Sequence, residues 1–218
     1  MIPALKGGLI VSCQAPEGSP LREPQLMAAM ARAAEQGGAA GIRANGAGDI
    51  EAIRHALGLP LIGLNKRTVE GFDVYITPTP DDVRLVFEAG ADIVAVDATE
   101  RERPVPLVEL IAAAGGKSVL ADVDTVAAGA AAREAGAAAV ASTLAGYTDA
   151  LSTEGPDVQL VRELVRVLDC PVIAEGRYSS PEAVRAAFAA GAHAVVVGTA
   201  ITNVVELTKR FAAVAARG

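Results

Sequence analysis

Lys66 is the residue of this sequence whose position folding alone explains least. It lies two residues after the apolar run Leu-Ile-Gly-Leu at 61–64, which has the character of a buried strand. Burial beside an apolar core disfavours the charged ammonium, so the pKa of such a lysine falls toward the range of a base at neutral pH. Lys66 is therefore a candidate proton-transfer residue. The alternative is a lysine that reaches solvent or pairs with a surface carboxylate.

Polar side chains end most of the other apolar runs. Glu175 directly follows Pro-Val-Ile-Ala, so its carboxyl is hard to explain as part of a solvated surface and is expected to be functional. Asp97 has two interpretations, the cap of a helix or the partner of Arg43. The remaining side chains at run ends are Gln14, Asn45, Asn65, Asp122, Asp124, Ser142, Thr143, Arg177 and Thr199. Such a set predicts acid–base chemistry on a small polar molecule.

A catalytic metal is not expected from this pattern. Neither histidine, His55 or His193, lies at the end of an apolar run. Without histidine a divalent ion needs a cage of carboxylates, which the spacing does not build. We therefore predict a site without metal.

An anion site is predicted after the last two runs. Gly176 and Gly198 place bare backbone N–H groups there, and a helix beginning near Thr202 would direct its N-terminus at the same place. Phosphate groups bind at this position in many barrels. The alternative is that both glycines only permit tight turns.

The elements that position these residues follow from a repeat. Four times a helical pattern ends in glycine and continues into a short run of β-branched and small residues, as in EAGADIVAVDAT. Eight such units predict a single (β/α)₈ barrel domain over residues 1–218, whose active site lies at the carboxyl ends of the strands. An open doubly wound sheet is the alternative, although no GxGxxG follows the first strand. The predicted strands are 8–14, 39–45, 61–66, 92–99, 118–124, 138–144, 171–176 and 192–201.

Smaller features complete the expected architecture. Asp49, Thr125 and Ser180 are predicted to cap helices, and residues 72–77 to form an extra extended segment. Residues 146–155 form the longest segment without a helical pattern and are a candidate lid. Tyr147 in this segment either reaches the site or simply packs.

Composition excludes several classes of protein. With 26 acidic and 19 basic residues the net charge is −7, and no basic cluster suggests nucleic-acid binding. Charged residues interrupt every apolar stretch before the length that a membrane span requires. The first apolar run is interpreted as a strand rather than a signal peptide, and the two cysteines lack the spacing of a disulfide framework or zinc site. We expect a cytoplasmic protein with a small-molecule partner.

Several motifs resemble those of the bacterial N-acetylmannosamine-6-phosphate 2-epimerases. The similarity runs from end to end and is carried by GLIVSCQ, GIRANG, PLIGLNKR, YITPT, DIVAVDAT, LADVDT, STLAGYT, PVIAEGRYSSPE and VVVGTAIT. The resemblance implies a (β/α)₈ barrel that interconverts N-acetylmannosamine 6-phosphate and N-acetylglucosamine 6-phosphate in sialic acid breakdown, without metal or nucleotide. It also implies a homodimer.

The resemblance assigns roles to individual residues. Lys66 would transfer the proton and Glu175 would be its acidic counterpart. The residues that would hold the sugar are Gln14, Arg43, Asp122 and Tyr147, and those near the phosphate are Gly176, Arg177, Gly198, Thr199 and Asn203. Asn203 is a departure, because the family commonly has an arginine there. A backbone-only phosphate site, a substitute cation such as Arg177 or Lys209, and an altered substrate all remain open.

Two alternatives for the chemistry also remain open. Glu175 either delivers a proton to the opposite face of the substrate or orients Lys66 in a one-base scheme. The same lysine suits a Schiff-base aldolase or synthase. Outside enzymology, a barrel that binds a sugar phosphate without turnover is the remaining candidate.

Overall fold

The computed structural model describes residues 1–148 and 155–215, and these residues form one closed barrel of eight parallel strands in the order β1 to β8. The predicted barrel is confirmed. The strands are β1 Leu9–Cys13, β2 Gly41–Asn45, β3 Leu61–Leu64, β4 Ile93–Asp97, β5 Ser118–Asp122, β6 Ala139–Ala141, β7 Val172–Ala174 and β8 Ala194–Val197. The helices are α1 Pro24–Gln36, α2 Ala47–Ala56, α3 Pro80–Glu88, α4 Leu107–Ala113, α5 Val126–Glu134, α6 Val158–Val167, α7 Pro181–Ala189, α8 Thr199–Thr202 and α9 Val204–Ala215.

Alternation along the strands decides which side chains enter the barrel. Ile62, Ile173 and Leu120 belong to the apolar cluster that fills its interior, whereas their sequence neighbours pack outward against the helices. Because side chains alternate with a period of two, Lys66, Glu175 and Asp122 also point inward. The same two-residue step therefore places polar groups on the interior wall just above the last apolar layer.

The opposite end of the barrel is closed by the N-terminus. A short 3₁₀ helix, Ile2–Leu5, inserts Ile2 and Leu5 into the interior cluster. His193 lies at this end, where its Nε2 is 3.0 Å from the carbonyl oxygen of Ile2. This histidine is accordingly far from the polar ends of the strands.

Two sequence predictions about local structure are wrong. Strand 8 does not extend to residue 201, because Gly198 ends it and the four residues of α8 form a helical turn. Thr202 Oγ1 stabilises that turn by donating to the carbonyl of Ser12 at 2.9 Å. Asp49 does not cap α2, which begins at Ala47 and contains Asp49 in its first turn.

The other predicted caps are confirmed. Thr125 and Ser180 each accept a hydrogen bond from a backbone N–H in the first turn of α5 and α7. The extended segment at 72–77 is also present, since Ile76 pairs with Lys66 in an antiparallel bridge. Most of the candidate lid, residues 149–154, lies outside the described residues.

Candidate active site

A cavity of about 760 Å³ opens at the carboxyl ends of the strands. Its size suits a sugar phosphate, since small-molecule sites usually enclose about 300–1,000 Å³. Except for Asp122, all the residues to which the family resemblance assigns a role line it. These are Gln14, Arg43, Lys66, Tyr147, Glu175, Gly176, Arg177, Gly198, Thr199 and Asn203.

The backbone of Lys66 is held by the segment that follows it. Its N–H donates to Asn45 Oδ1 at 2.7 Å, and Ile76 pairs with it from the extended segment. The N–H of Arg67 donates to the carbonyl of Tyr75 at 3.0 Å. The lysine is thus fixed between β2 and the returning chain.

Asp82 holds the residues on both sides of Lys66. This buried carboxylate accepts from Asn65 Nδ2 and from Arg67 Nε, each at 2.8 Å. Asp82 is itself fixed by a capping box with Thr79 at the start of α3. A helix start therefore positions the lysine from outside the cavity.

The Lys66 side chain has a specific partner inside the cavity. Its Nζ donates to Gln14 Oε1 at 2.8 Å, and Gln14 Nε2 donates in turn to Ser12 Oγ at 2.9 Å. Solvent reaches the lysine through the open mouth, yet the protein encloses its amine on the other sides. Burial and the charge of Arg43 lower the pKa of Lys66, and Glu175 only partly opposes them. At a given pH a larger fraction of Lys66 is therefore the neutral amine than for an ordinary lysine.

Arg43 is the fully buried centre of the site. Its guanidinium binds Asp122 through two hydrogen bonds, of 3.1 and 2.5 Å, and also pairs with Glu175. Burial opposes the charge, but the two carboxylates outweigh it and raise the pKa of Arg43. Arg43 is therefore a permanent cation beneath the cavity.

Glu175 shares that cation with a competitor. Asp122 accepts from both ends of the guanidinium and also from Thr143 Oγ1 at 2.6 Å, whereas Glu175 accepts from the Nη1 end alone. Burial, and after it the charge of Asp122, raise the pKa of Glu175, although Arg43 acts in the opposite direction. Enclosure by the protein and the charge of Asp122 thus shift Glu175 toward its protonated form.

Two predictions about aspartates need correction. Asp122 is fully buried and binds Arg43 behind the cavity wall, so it positions the guanidinium rather than lining the substrate space. Asp97 neither caps a helix nor binds Arg43, because Arg101 folds back onto it at 2.8 Å and Thr99 donates to it. Nothing in the sequence distinguished Arg101, in the loop after β4, from an arginine on the surface.

The predicted anion end of the cavity is formed after β7 and β8. Gly176 has a φ of +105°, a conformation that favours glycine, and Arg177 follows it at +58°. A side chain at Gly146 would overlap the guanidinium of Arg177, which lies 5.3 Å from the centre of the Tyr147 ring. The absence of a side chain at Gly146 thus lets Arg177 and Tyr147 meet at the cavity edge.

Some cavity residues were missed by sequence analysis. Tyr75 lines the cavity from the extended segment, and Arg22 and Arg210 line it from the loop before α1 and from α9. The pairing of residues 72–77 with Lys66 would have indicated Tyr75. Nothing in the sequence indicated Arg210, which follows β8 by thirteen residues. Within residues 1–148 and 155–215, no group of three or more His, Cys, Asp or Glu side chains is arranged to hold a metal.

The arrangement is suited to moving a proton on an anionic or carbonyl substrate. A lysine with a lowered pKa provides a base, and a carboxyl with a raised pKa provides an acid. Arg43 lies against the acid and stabilises negative charge nearby. Fold and site together define a (β/α)₈ barrel with a candidate acid–base pair at the carboxyl ends of its strands.

The family of the chain follows from its matches to known proteins. Residues 27–216 match the family model described as "Putative N-acetylmannosamine-6-phosphate epimerase". The chain therefore belongs to the N-acetylmannosamine-6-phosphate epimerase family, as its motifs predicted.

Individual relatives agree with this membership. A protein of Caldanaerobacter subterraneus subsp. tengcongensis, named "Putative N-acetylmannosamine-6-phosphate 2-epimerase", is 49% identical over 218 residues, which cover 97% of this chain and 92% of that protein. A Thermosynechococcus vestitus protein of the same name is 48% identical, covering 92% of this chain and 90% of its own. The solved structure of the N-acetylmannosamine-6-phosphate 2-epimerase from Clostridium perfringens superposes with a TM-score of 0.95 at 40% identity, covering 98% of this chain and 95% of that one.

Proposed function

We propose that this protein interconverts N-acetylmannosamine 6-phosphate and N-acetylglucosamine 6-phosphate by proton transfer at C2. The observation that carries the proposal is the opposed pair in one cavity, Lys66 with a lowered pKa and Glu175 with a raised pKa. Membership in the epimerase family supplies the substrate. The reaction requires no net oxidation or reduction, because one proton is removed from C2 and one proton is added to the opposite face of the same carbon.

The mechanism begins with the open-chain sugar. The C2 proton lies next to the C1 aldehyde and is acidic for that reason, so the neutral amine of Lys66 can remove it. The electron pair moves onto the aldehyde oxygen and forms an enediolate-like intermediate. Gln14 and Arg43 lie close enough to the base and the acid to stabilise the negative oxygen.

We favour the two-base scheme for the return of the proton. A carboxyl whose pKa is raised carries its proton more often than an ordinary glutamate, and it can donate that proton to C2 from the opposite face, which inverts that carbon. Glu175 is held for this purpose through its backbone, since Ser142 Oγ accepts from its N–H at 3.1 Å and donates to its carbonyl at 2.9 Å. In the reverse direction the two groups exchange roles.

The test is turnover of N-acetylmannosamine 6-phosphate by the purified protein in the presence of a chelator, followed by NMR. Formation of N-acetylglucosamine 6-phosphate supports the proposal. A borohydride-trapped adduct at Lys66 would favour the Schiff-base alternative. Tight binding of both sugars without interconversion would favour a binding protein.

The pH dependence of kcat should be a bell narrower than ordinary side chains allow. The active pair holds one proton between Lys66 and Glu175, and activity is lost when the pair gains a second proton or loses the first. Because the pKa of Glu175 is raised, the acid limb should lie above about 4.3; because that of Lys66 is lowered, the alkaline limb should lie below about 10.4.

The substrate itself complicates this measurement, since a phosphate monoester ionises near pH 6. We therefore expect the two limbs in kcat at saturating substrate, which reports groups of the bound complex. A kcat that stays constant over the whole interval from about 4.3 to 10.4 would contradict the assigned pair.

The setting of the reaction is part of the proposal. The family resemblance supports a place in sialic acid breakdown and, with it, a cytoplasmic location. The sequence has no basic cluster, which argues against nucleic-acid binding. In the described residues no helix is long and apolar enough to cross a membrane. We also propose that residues 1–218 form a single domain.

A homodimer formed through α9 completes the proposal. None of the residues of this helix is buried in the single chain, and Phe211 and Val214 are 78% and 76% exposed. Apolar side chains concentrated on one exposed helix favour burial against a second copy. We expect light scattering to show a dimer that Phe211→Glu converts to monomer. Val108→Glu, a matched change at an exposed residue of α4, should leave the dimer intact; a monomeric wild-type protein would contradict the proposal.

A further inference from the structure

The phosphate end of the cavity offers neutral donors and few available charges. Gly198 and Thr199 follow β8 and line the cavity. Gly198 offers only backbone groups there, and Thr199 adds a side-chain hydroxyl. Neutral N–H donors bind a dianion only moderately, because hydrogen bonds from charged donors are about twice as strong. A cation near this end would therefore strengthen the preference for a phosphorylated sugar.

Five cationic side chains line the cavity within the described residues: Arg22, Arg43, Lys66, Arg177 and Arg210. Arg43 is bound by two carboxylates, and Lys66 belongs to the acid–base pair. Arg177 donates from Nε to the carbonyl of Gly155 at 2.6 Å and lies against Tyr147. Arg22 and Arg210 are the two whose side chains make no hydrogen bond within the described residues, although Arg22 lies near Asp49 and Arg210 near Glu206.

Asn203 determines where Arg210 lies. Its Oδ1 accepts from the N–H of Glu206 at 3.0 Å and its carbonyl accepts from Leu207, so it starts α9 in the manner of an N-cap. Arg210 follows seven residues later, which is two helical turns, so the two residues share one face of α9. Both line the cavity, whereas Lys209 does not.

Arg210 is also weakly held in the structure. Its Nε is 4.0 Å from Glu206 Oε1, beyond hydrogen-bond length, and 53% of its side chain is exposed. An exposed pair of this kind contributes little, so the guanidinium can leave Glu206 for a dianion at small cost.

We infer that Arg210 binds the 6-phosphate of the substrate and makes this enzyme selective for phosphorylated sugars. The inference rests on the proposed function and deepens it. Asn203 acts here as a positioning residue. It starts α9, and the positive charge is then supplied by Arg210, two turns further along the helix. The guanidinium contacts the phosphate, and the glycine backbone after β8 completes the site.

The test compares Arg210→Ala with Lys209→Ala, which removes the same charge from the neighbouring position of the same helix. We expect Arg210→Ala to raise KM for N-acetylmannosamine 6-phosphate and the Ki of inorganic phosphate by about 10- to 100-fold, the loss of one charged hydrogen bond. The Ki of unphosphorylated N-acetylmannosamine and kcat should stay within about twofold, and Arg210→Lys should recover part of the loss.

Three results would overturn the inference. They are an equal effect of Arg210→Ala on phosphorylated and unphosphorylated sugars, an equal effect of Lys209→Ala, and a loss of phosphate affinity in Arg22→Ala but not in Arg210→Ala. Failure of the proposed function is distinguishable. If the wild-type protein turned over neither sugar, calorimetric titration of inorganic phosphate into wild type, Arg210→Ala and Lys209→Ala would still decide whether Arg210 binds the anion.

Discussion

Replacing Lys66 with methionine should lower kcat by about a thousandfold or more, because the variant has no base at C2. The fold should survive. The backbone at this position is held by Asn45 and Ile76, and the side chain contributes only the hydrogen bond to Gln14. We expect an unchanged melting temperature and unchanged dimerisation alongside the loss of turnover, measured by NMR of the two sugar phosphates.

Two further lysine variants separate basicity from charge. Lys66→Arg keeps a cation in the cavity but holds its proton throughout the accessible pH range, so it should be about as inactive as the methionine variant. Lys6→Ala removes an exposed lysine at the opposite end of the barrel and should be fully active. Turnover by Lys66→Met at even a tenth of the wild-type rate would contradict the assignment.

Replacing Asp122 with alanine should destabilise the protein by about 3 kcal/mol, because the buried guanidinium of Arg43 loses its bidentate partner and keeps Glu175 as its remaining carboxylate. For a protein of this size that corresponds to a fall of about 10 °C in melting temperature. Activity should fall as well, because Arg43 is then free to bind Glu175 more fully and to hold it as a carboxylate. Calorimetry and kcat test the two effects.

The matched control is Arg185→Ala, which removes an exposed ion pair with Glu182 on α7. Its effect on the melting temperature should be small, because exposed ion pairs contribute little to stability. The double variant Arg43→Met with Asp122→Leu should recover part of the stability lost in Asp122→Ala without recovering activity, since well-packed apolar residues can replace a buried ion pair. A stability of Asp122→Ala equal to that of the control would contradict a structural role for the pair.

The barrel was predictable because its signals are local and repeated. Two signals can be recognised from neighbouring residues alone. They are the glycine after each helical pattern and the β-branched runs at regular spacing. The inward direction of Lys66 and Glu175 follows from the same alternation, two residues beyond an apolar position. For this reason the strand ends of the sequence identified Arg43, Lys66 and Glu175 at the centre of the cavity.

The partners of those residues were not predictable, because they depend on distances across the barrel. The pairing of Arg43 with Asp122 joins positions 79 residues apart, and the choice of Asp122 over Asp97 depends on which carboxylate Arg101 occupies. The end of β8 was misjudged because Thr199 to Thr202 suit a strand by composition but form a turn stabilised by the carbonyl of Ser12. Placement of Arg210 similarly required the direction of α9.

The central claim is proton transfer at C2 between Lys66 and Glu175, and exchange with heavy water tests it most directly. N-acetylmannosamine 6-phosphate is incubated with the enzyme in D₂O, and deuterium at C2 is followed by proton NMR in both sugars. In the two-base scheme, deuterium should enter the N-acetylglucosamine 6-phosphate product at C2 from the first turnovers, while the remaining substrate stays protonated. Glu175→Gln should lose epimerisation while Lys66 still exchanges the C2 proton of N-acetylmannosamine 6-phosphate. Epimerisation without deuterium at C2 would contradict the claim.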